Sequence, residues 1–227
     1  MYFNDKKKCR ENNLHQEILI DIETLSLKGL LTIPKNAIAI VVFAHGSGSG
    51  RNSPRNKYVA KMLQDRDIAT LLVDLLTEEE EKIDQETNKY RFDIPFLANR
   101  LTKVCCWVQE KTKTKHLKIG LFGASTGAAA AIITASELIN DIFAIVSRGG
   151  RPDLAGVALT KIKAPILLIV GQKDETVLKL NQKAFELIKS YKKIEIVPRA
   201  THLFEEPGTL QQASSITQHW FESCLML

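Results

Sequence analysis

The sequence predicts an α/β fold: a doubly wound, mostly parallel sheet with an antiparallel N-terminal hairpin and little or no cap. Two observations predict it. Short, continuous apolar runs rich in β-branched residues recur along the chain, the mark of strands covered on both faces. Helix-period stripes fall between those runs from residue 38 to the end.

Residues Ile18 to Ile33 alternate weakly and stop at Pro34, which reads as two short strands joined through Leu27–Gly29. IAIVVFA (Ile38 to Ala44) is the first buried run. IATLLV (Ile68 to Val73), KIGLF (Lys118 to Phe122), IFAIV (Ile142 to Val146), PILLIV (Pro165 to Val170) and KIEIV (Lys193 to Val197) follow it. The first helical stripe is Tyr58, Val59, Met62 and Leu63; the second is Leu97, Leu101, Val104, Cys105 and Val108. Ala128 to Leu138, Leu178 to Ile188 and Leu210 to Phe221 complete the helices. The acidic run Glu78 to Glu81 reads as a solvated loop or helix start. With no repeat and no Pro/Gly linker, residues 14–227 read as one domain behind a flexible tail, residues 1–13.

Composition narrows the classes. The 227 residues are 44% apolar and 25% charged, an ordinary globular balance. The four cysteines, Cys9, Cys105, Cys106 and Cys224, form no CxxC pair. The expectation is reduced thiols in the cytoplasm, with no metal and no cofactor. MYFNDKKKCRENN leads into no apolar core, so it does not read as a signal peptide, and no apolar run approaches a membrane span. The net charge of +5 is scattered along the chain. A nucleic-acid binder would gather it on one element.

The candidate site begins with GLFGASTGAAAA. Ser125 follows a buried strand, precedes a helix, and is flanked by Gly123 and Gly127 in the G-x-S-x-G pattern. A strand-to-helix turn that tight forces its central residue into a strained backbone and pushes its side chain outward. A small-residue turn with a serine N-cap would look similar. A serine hydroxyl also needs a base to take its proton. Of the five histidines, His202 lies after a strand and downstream of the serine. His15 and His116 precede strands, His219 falls within a helix, and His45 comes before the serine. Asp174 in VGQKDE also leaves a strand, with Glu175 the local alternative. The order Ser125, Asp174, His202 is one of the known orders for nucleophile, acid and base. The glycine-rich HGSGSGR after the first buried run could turn the amide of Gly46 or Ser47 toward the site, to join that of Thr126 as an oxyanion hole. It fails as a phosphate loop, because Arg51 occupies the third glycine position of G-x-G-x-x-G.

HGSGSGR, GLFGASTGAAAA, VGQKDE and ATHLFEEPG together resemble the dienelactone hydrolase-like branch of the α/β-hydrolase superfamily, over Ile38 to Phe221. VSRGGRPDLAG, LLVDLLTEEEE and RFDI resemble a subgroup sometimes fused to a phosphoribosyltransferase domain. The motifs fill this sequence, so transferase activity is not carried over. The resemblance implies the α/β-hydrolase fold and a serine, aspartate and histidine triad. Dienelactone hydrolases proper use a cysteine nucleophile, so Ser125 points instead to small carboxylic esters cleaved through an acyl-enzyme. The alternatives are acyl transfer or thioester cleavage by the same triad, or a binding protein that keeps the fold without chemistry. Arg148 and Arg151 either hold an acidic substrate group or pin their loop to Asp153 or to the Glu205–Glu206 pair. With His45 they are the candidate substrate-binding residues. The expected partner is a small ester and the expected state a monomer or homodimer.

Overall fold

The structure, a computed structural model, describes residues 14–227. The expected tail, with its Lys6–Lys8 cluster and Cys9, lies outside the described residues. The strands are β1 (Leu14–Ile22), β2 (Leu25–Ile33), β3 (Ala39–Ala44), β4 (Ile68–Val73), β5 (Lys118–Ala124), β6 (Ile142–Arg148), β7 (Ile166–Gly171) and β8 (Lys192–Val197). The helices are α1 (Pro54–Gln64), α2 (Glu78–Thr87), α3 (Ile94–Glu110), α4 (Thr126–Glu137), α5 (Glu175–Leu187) and α6 (Thr209–Leu225). A 3-10 segment, Pro152–Thr160, links β6 to β7.

The eight strands form one sheet in the order β1-β2-β4-β3-β5-β6-β7-β8. β1, β2 and β4 pair antiparallel, and every later pairing is parallel. Side chains alternate across the pleat, so each buried strand feeds two cores. Ile40, Val42 and Ala44 face the core shared with α3, α4 and α5, while Val41 and Phe43 face the one shared with α1 and α6. The order reverses at β3, with β4 on one side and β5 on the other. Ligands of open α/β sheets bind at the carboxyl ends of the strands around such a reversal.

Several expectations shift. The hairpin turn falls at Glu23–Thr24, not at Leu27–Gly29. Leu27 is instead fully buried opposite Ile20. Gly29 lies inside β2 because a Cβ there would come within 3.0 Å of Ile20 Cδ1 and 3.1 Å of Leu71 Cδ1. It marks close packing rather than a turn. His15 lies within β1, bonded to Thr32. Tyr58 leaves the predicted stripe and stands 41% exposed, since α1 buries Asn56, Val59, Ala60 and Leu63. The acidic run opens α2 through a capping box between Thr77 and Glu80. Glu80 does not stay wet: Arg100 grips both its oxygens at 2.6 and 2.8 Å. No helix among the described residues is long and apolar enough to cross a membrane.

Candidate active site

The carboxyl ends of β5, β7 and β8 bring Ser125, Asp174 and His202 together. Ser125 occupies the bend between β5 and α4 with φ 51° and ψ −123°, a strained conformation for a residue with a side chain. Its hydroxyl caps no helix amide, so the N-cap alternative fails. The flanking glycines are there for want of space. A Cβ on Gly123 would stand 2.3 Å from Ala128 Cα, and one on Gly127 would stand 2.3 Å from the Ala44 carbonyl.

His202 Nε2 lies 3.3 Å from Ser125 Oγ, and its Nδ1 lies 2.6 Å from Asp174 Oδ2. A carboxylate accepts, so Nδ1 carries the proton and Nε2 is left to accept from the serine hydroxyl. Asp174 begins α5 but caps no amide, which leaves its carboxylate to the imidazole. The Asp174 and His202 turns are tied to each other: the Lys173 amide donates to the Ala200 carbonyl and the Gln172 amide to that of Val197.

The glycine-rich loop after β3 reaches the same edge. Gly46 lies against Ser125, where a Cβ would approach the serine Cβ to 3.0 Å. The Ser47 amide is already engaged, donating to Thr126 Oγ1 at 3.1 Å, and the Ser47 hydroxyl donates to the Arg91 carbonyl. An oxyanion would compete with Thr126 Oγ1 for the Ser47 N–H. The Thr126 amide opens α4, at the positive end of the helix.

His45 is buried and bound at both nitrogens: the Leu75 amide donates to Nε2, and Nδ1 meets the Gly46 carbonyl at 3.0 Å. Both ring nitrogens are thus committed to backbone groups, while the ring also lines an open pocket of about 950 Å³ with Asp74, Leu76 and Glu78. Arg148 is buried as well and pairs with none of the carboxylates expected for it. It donates to Asn56 Oδ1 at 3.2 Å and stands over the rings of Phe122 and Phe204. Burial, with Arg55 nearby, pulls its pKa down to about 10, which leaves it charged at neutral pH. Glu205 pairs with Arg55, and Glu206 accepts the Thr201 amide. Arg151 chelates Asp153 at 2.8 and 2.9 Å, one of the partners considered for it.

Sequence reasoning missed how the segment Ser147–Arg151 supports the site. The Ser125 amide donates to the Arg148 carbonyl, and the Arg151 amide donates back to the Ser125 carbonyl. Gly149, at φ 51°, lies against the His202 carbonyl. Gly150 accepts from Asn181 Nδ2 at 2.9 Å, and Asn181 is a fully buried residue of α5. One loop thus touches the elements carrying all three candidates. The RGGR string was visible, but no local pattern marked Asn181. Asp84 was also missed. Burial opposes its charge, but the amides of Arg91 and Tyr90 and the Arg91 guanidinium outweigh that and hold its pKa below the usual carboxylate range. Ser47 is bonded to this same Arg91 loop. No cluster of metal-ligating side chains occurs among the described residues.

Sheet order, switch point and strained serine turn together define an α/β hydrolase. The family model described as "Alpha/beta hydrolase domain" matches residues 37–223, and the chain belongs to that family. Its fold is that of a dienelactone hydrolase-like member. The dienelactone hydrolase from Anabaena variabilis is 49% identical and superposes with a TM-score of 0.92, over 94% of this chain and 99% of its own. Est1E from Butyrivibrio proteoclasticus shares the fold at a TM-score of 0.78 and 14% identity, over 93% of this chain and 99% of its own. A Mycobacterium tuberculosis protein named "Putative phosphoribosyl transferase Rv0571c" is 48% identical over 206 residues, which are 91% of this chain and 46% of that protein. This chain therefore spans about half the length of its curated mycobacterial relatives.

Proposed function

We propose that this α/β hydrolase cleaves small carboxylic esters through an acyl-enzyme on Ser125. The observation that carries the reading is the hydrogen-bonded chain from Ser125 Oγ through the His202 ring to Asp174. His202 Nε2 takes the hydroxyl proton as Ser125 Oγ attacks the ester carbonyl. Asp174 holds the ring and stabilises its charged form. The Thr126 amide, with that of Gly46 or Ser47, binds the oxyanion. The alcohol leaves with the proton from His202. Water, deprotonated by His202, then attacks the acyl carbon and frees Ser125.

The dienelactone hydrolase relative supports hydrolysis. A serine in place of the cysteine of dienelactone hydrolases proper favours ordinary esters over dienelactone. The transferase name of the mycobacterial relatives is not brought to residues 14–227, which we read as one hydrolase domain working in the cytoplasm. The cytoplasmic reading rests on the cysteine pattern of the sequence, which offers no CxxC pair.

The test is covalent labelling by a fluorophosphonate probe, followed by turnover of p-nitrophenyl esters of increasing acyl length. Wild type is expected to label and to turn over short esters. Ser125→Ala and His202→Ala should each lower kcat on the order of 10⁴-fold or more and abolish labelling. A folded wild type that neither labels nor hydrolyses any ester of the series would overturn the reading.

A further inference from the structure

Among the described residues, the sheet ends in an open strand. β8 pairs with β7 on one side and is last in the strand order. The Ile166 amide donates to the Tyr191 carbonyl and the Gln172 amide to that of Val197. Backbone directions alternate along a strand, so Lys192, Ile194 and Ile196 aim their N–H and C=O groups outward. Pro198 follows and supplies no donor, which ends the open ladder there.

The side chains along this edge are self-complementary. Lys193 and Glu195 share one face, Nζ to Oε1 at 2.7 Å, and look over a groove of about 530 Å³ between β8 and α6. Tyr191, Ile216 and Trp220 line that groove, with the Tyr191 and Trp220 rings stacked at 5.6 Å. Tyr191 is 64% exposed and Ile196 43%. A two-fold axis normal to the sheet pairs residues of the same face, so the registers centre on single residues. Centring on Lys193 opposes lysine to lysine, and centring on Glu195 opposes glutamate to glutamate. Centring on Ile194 opposes Lys193 to Glu195 twice and makes Ile194 a hydrogen-bonded pair with its own copy. Opposite charges directly across a ladder stabilise it and like charges weaken it. The other open edge, β1, carries Glu17 and Asp21 and no lysine or arginine, so a copy of itself has no fixed cation to oppose to them.

We infer that β8 mates antiparallel with β8 of a second copy of this chain in the register centred on Ile194. The two sheets become one, and the grooves walled by Tyr191, Ile216 and Trp220 meet on one face.

Sedimentation equilibrium of the full chain tests this. Wild type is expected to be a dimer. Lys193→Glu and Glu195→Lys each set like charges opposite one another twice and should weaken the dimer about tenfold or more. An equimolar mixture of the two variants restores opposite charges at both positions and should recover a dimer, as should the doubly swapped chain. Far-UV circular dichroism and the thermal midpoint check that both variants fold; Lys193→Gln and Glu195→Gln replace any that does not. A monomeric wild type, a dimer indifferent to both reversals, or a mixture that stays monomeric would each overturn the inference.

Discussion

The turn at Ser125 and the loop Ser147–Arg151 hold the same serine by different means. The turn is held by steric contact: Gly123 and Gly127 are in place because the backbone of Ala128, next along the chain, and of Ala44 at the end of β3 fills the space beside them. The loop is a meeting point of distant segments. It clasps Ser125 by two backbone bonds, lies against His202, and is fastened to α5 through Asn181. The difference separates two tasks. Short-range sterics create the strained serine, and long-range hydrogen bonds keep the strain from relaxing.

Breaking the turn should cost most. In Gly127→Ala the new Cβ would meet the Ala44 carbonyl at 2.3 Å and that of His45 at 2.5 Å. Both are backbone atoms of the central strand and its loop, so neither can swing aside. Overpacking of this kind is expected to destabilise by about 3 kcal/mol or more. The check is a shift in the urea midpoint with an unchanged m-value. Loss of fluorophosphonate labelling should accompany it, because the serine is displaced with the turn.

Breaking the loop's anchor should cost less. Asn181→Leu keeps the branched shape, with bulkier methyls at its ends, but leaves the Gly150 and Val177 carbonyls, both bonded to Asn181 Nδ2, without that donor. The expected loss is about 2 kcal/mol. If the loop positions Ser125, the labelling rate at saturating probe falls under conditions where the variant remains folded. An unchanged rate beside the same stability loss would confine Asn181 to structure.

The same contrast explains what was legible in the sequence. The central strands were visible because each is a short run dominated by apolar residues, and the serine turn because its two glycines flank Ser125 within five residues of chain. Ser125, Asp174 and His202 could be chosen because all three follow strands and therefore share one edge of the sheet. The roles of Arg148 and His45 were not legible. Which of the nearby groups each one meets depends on segments far apart: Asn56 on α1 for Arg148, Leu75 after β4 for His45. The hairpin turn was misplaced because a glycine can mark either a bend or a close contact. At Gly29 only the side chains of Ile20 and Leu71 decide which. Asn181 looks like any polar residue on a helix until the Gly150 carbonyl is placed beside it.

The smallest expected effect is at the loop's rim and bears on what the loop does besides bracing. Arg151 holds Asp153 through Nε and Nη2, and its side chain is 36% exposed. A surface pair of this kind contributes about 0–1 kcal/mol, so Arg151→Ala should hardly move the urea midpoint. The backbone bond from its amide to Ser125 survives the substitution. Any change in turnover must then come from the guanidinium itself. If Arg151 only pins the loop, KM for neutral and anionic esters shifts equally and little. If the guanidinium also receives a substrate carboxylate, KM for an anionic ester rises severalfold while the neutral ester is unaffected. The geometry favours the first outcome, because the Nε–Nη2 side of the guanidinium is committed to Asp153, whose charge also offsets its own, and only the end-on pair at Nη1 and Nη2 remains for a substrate.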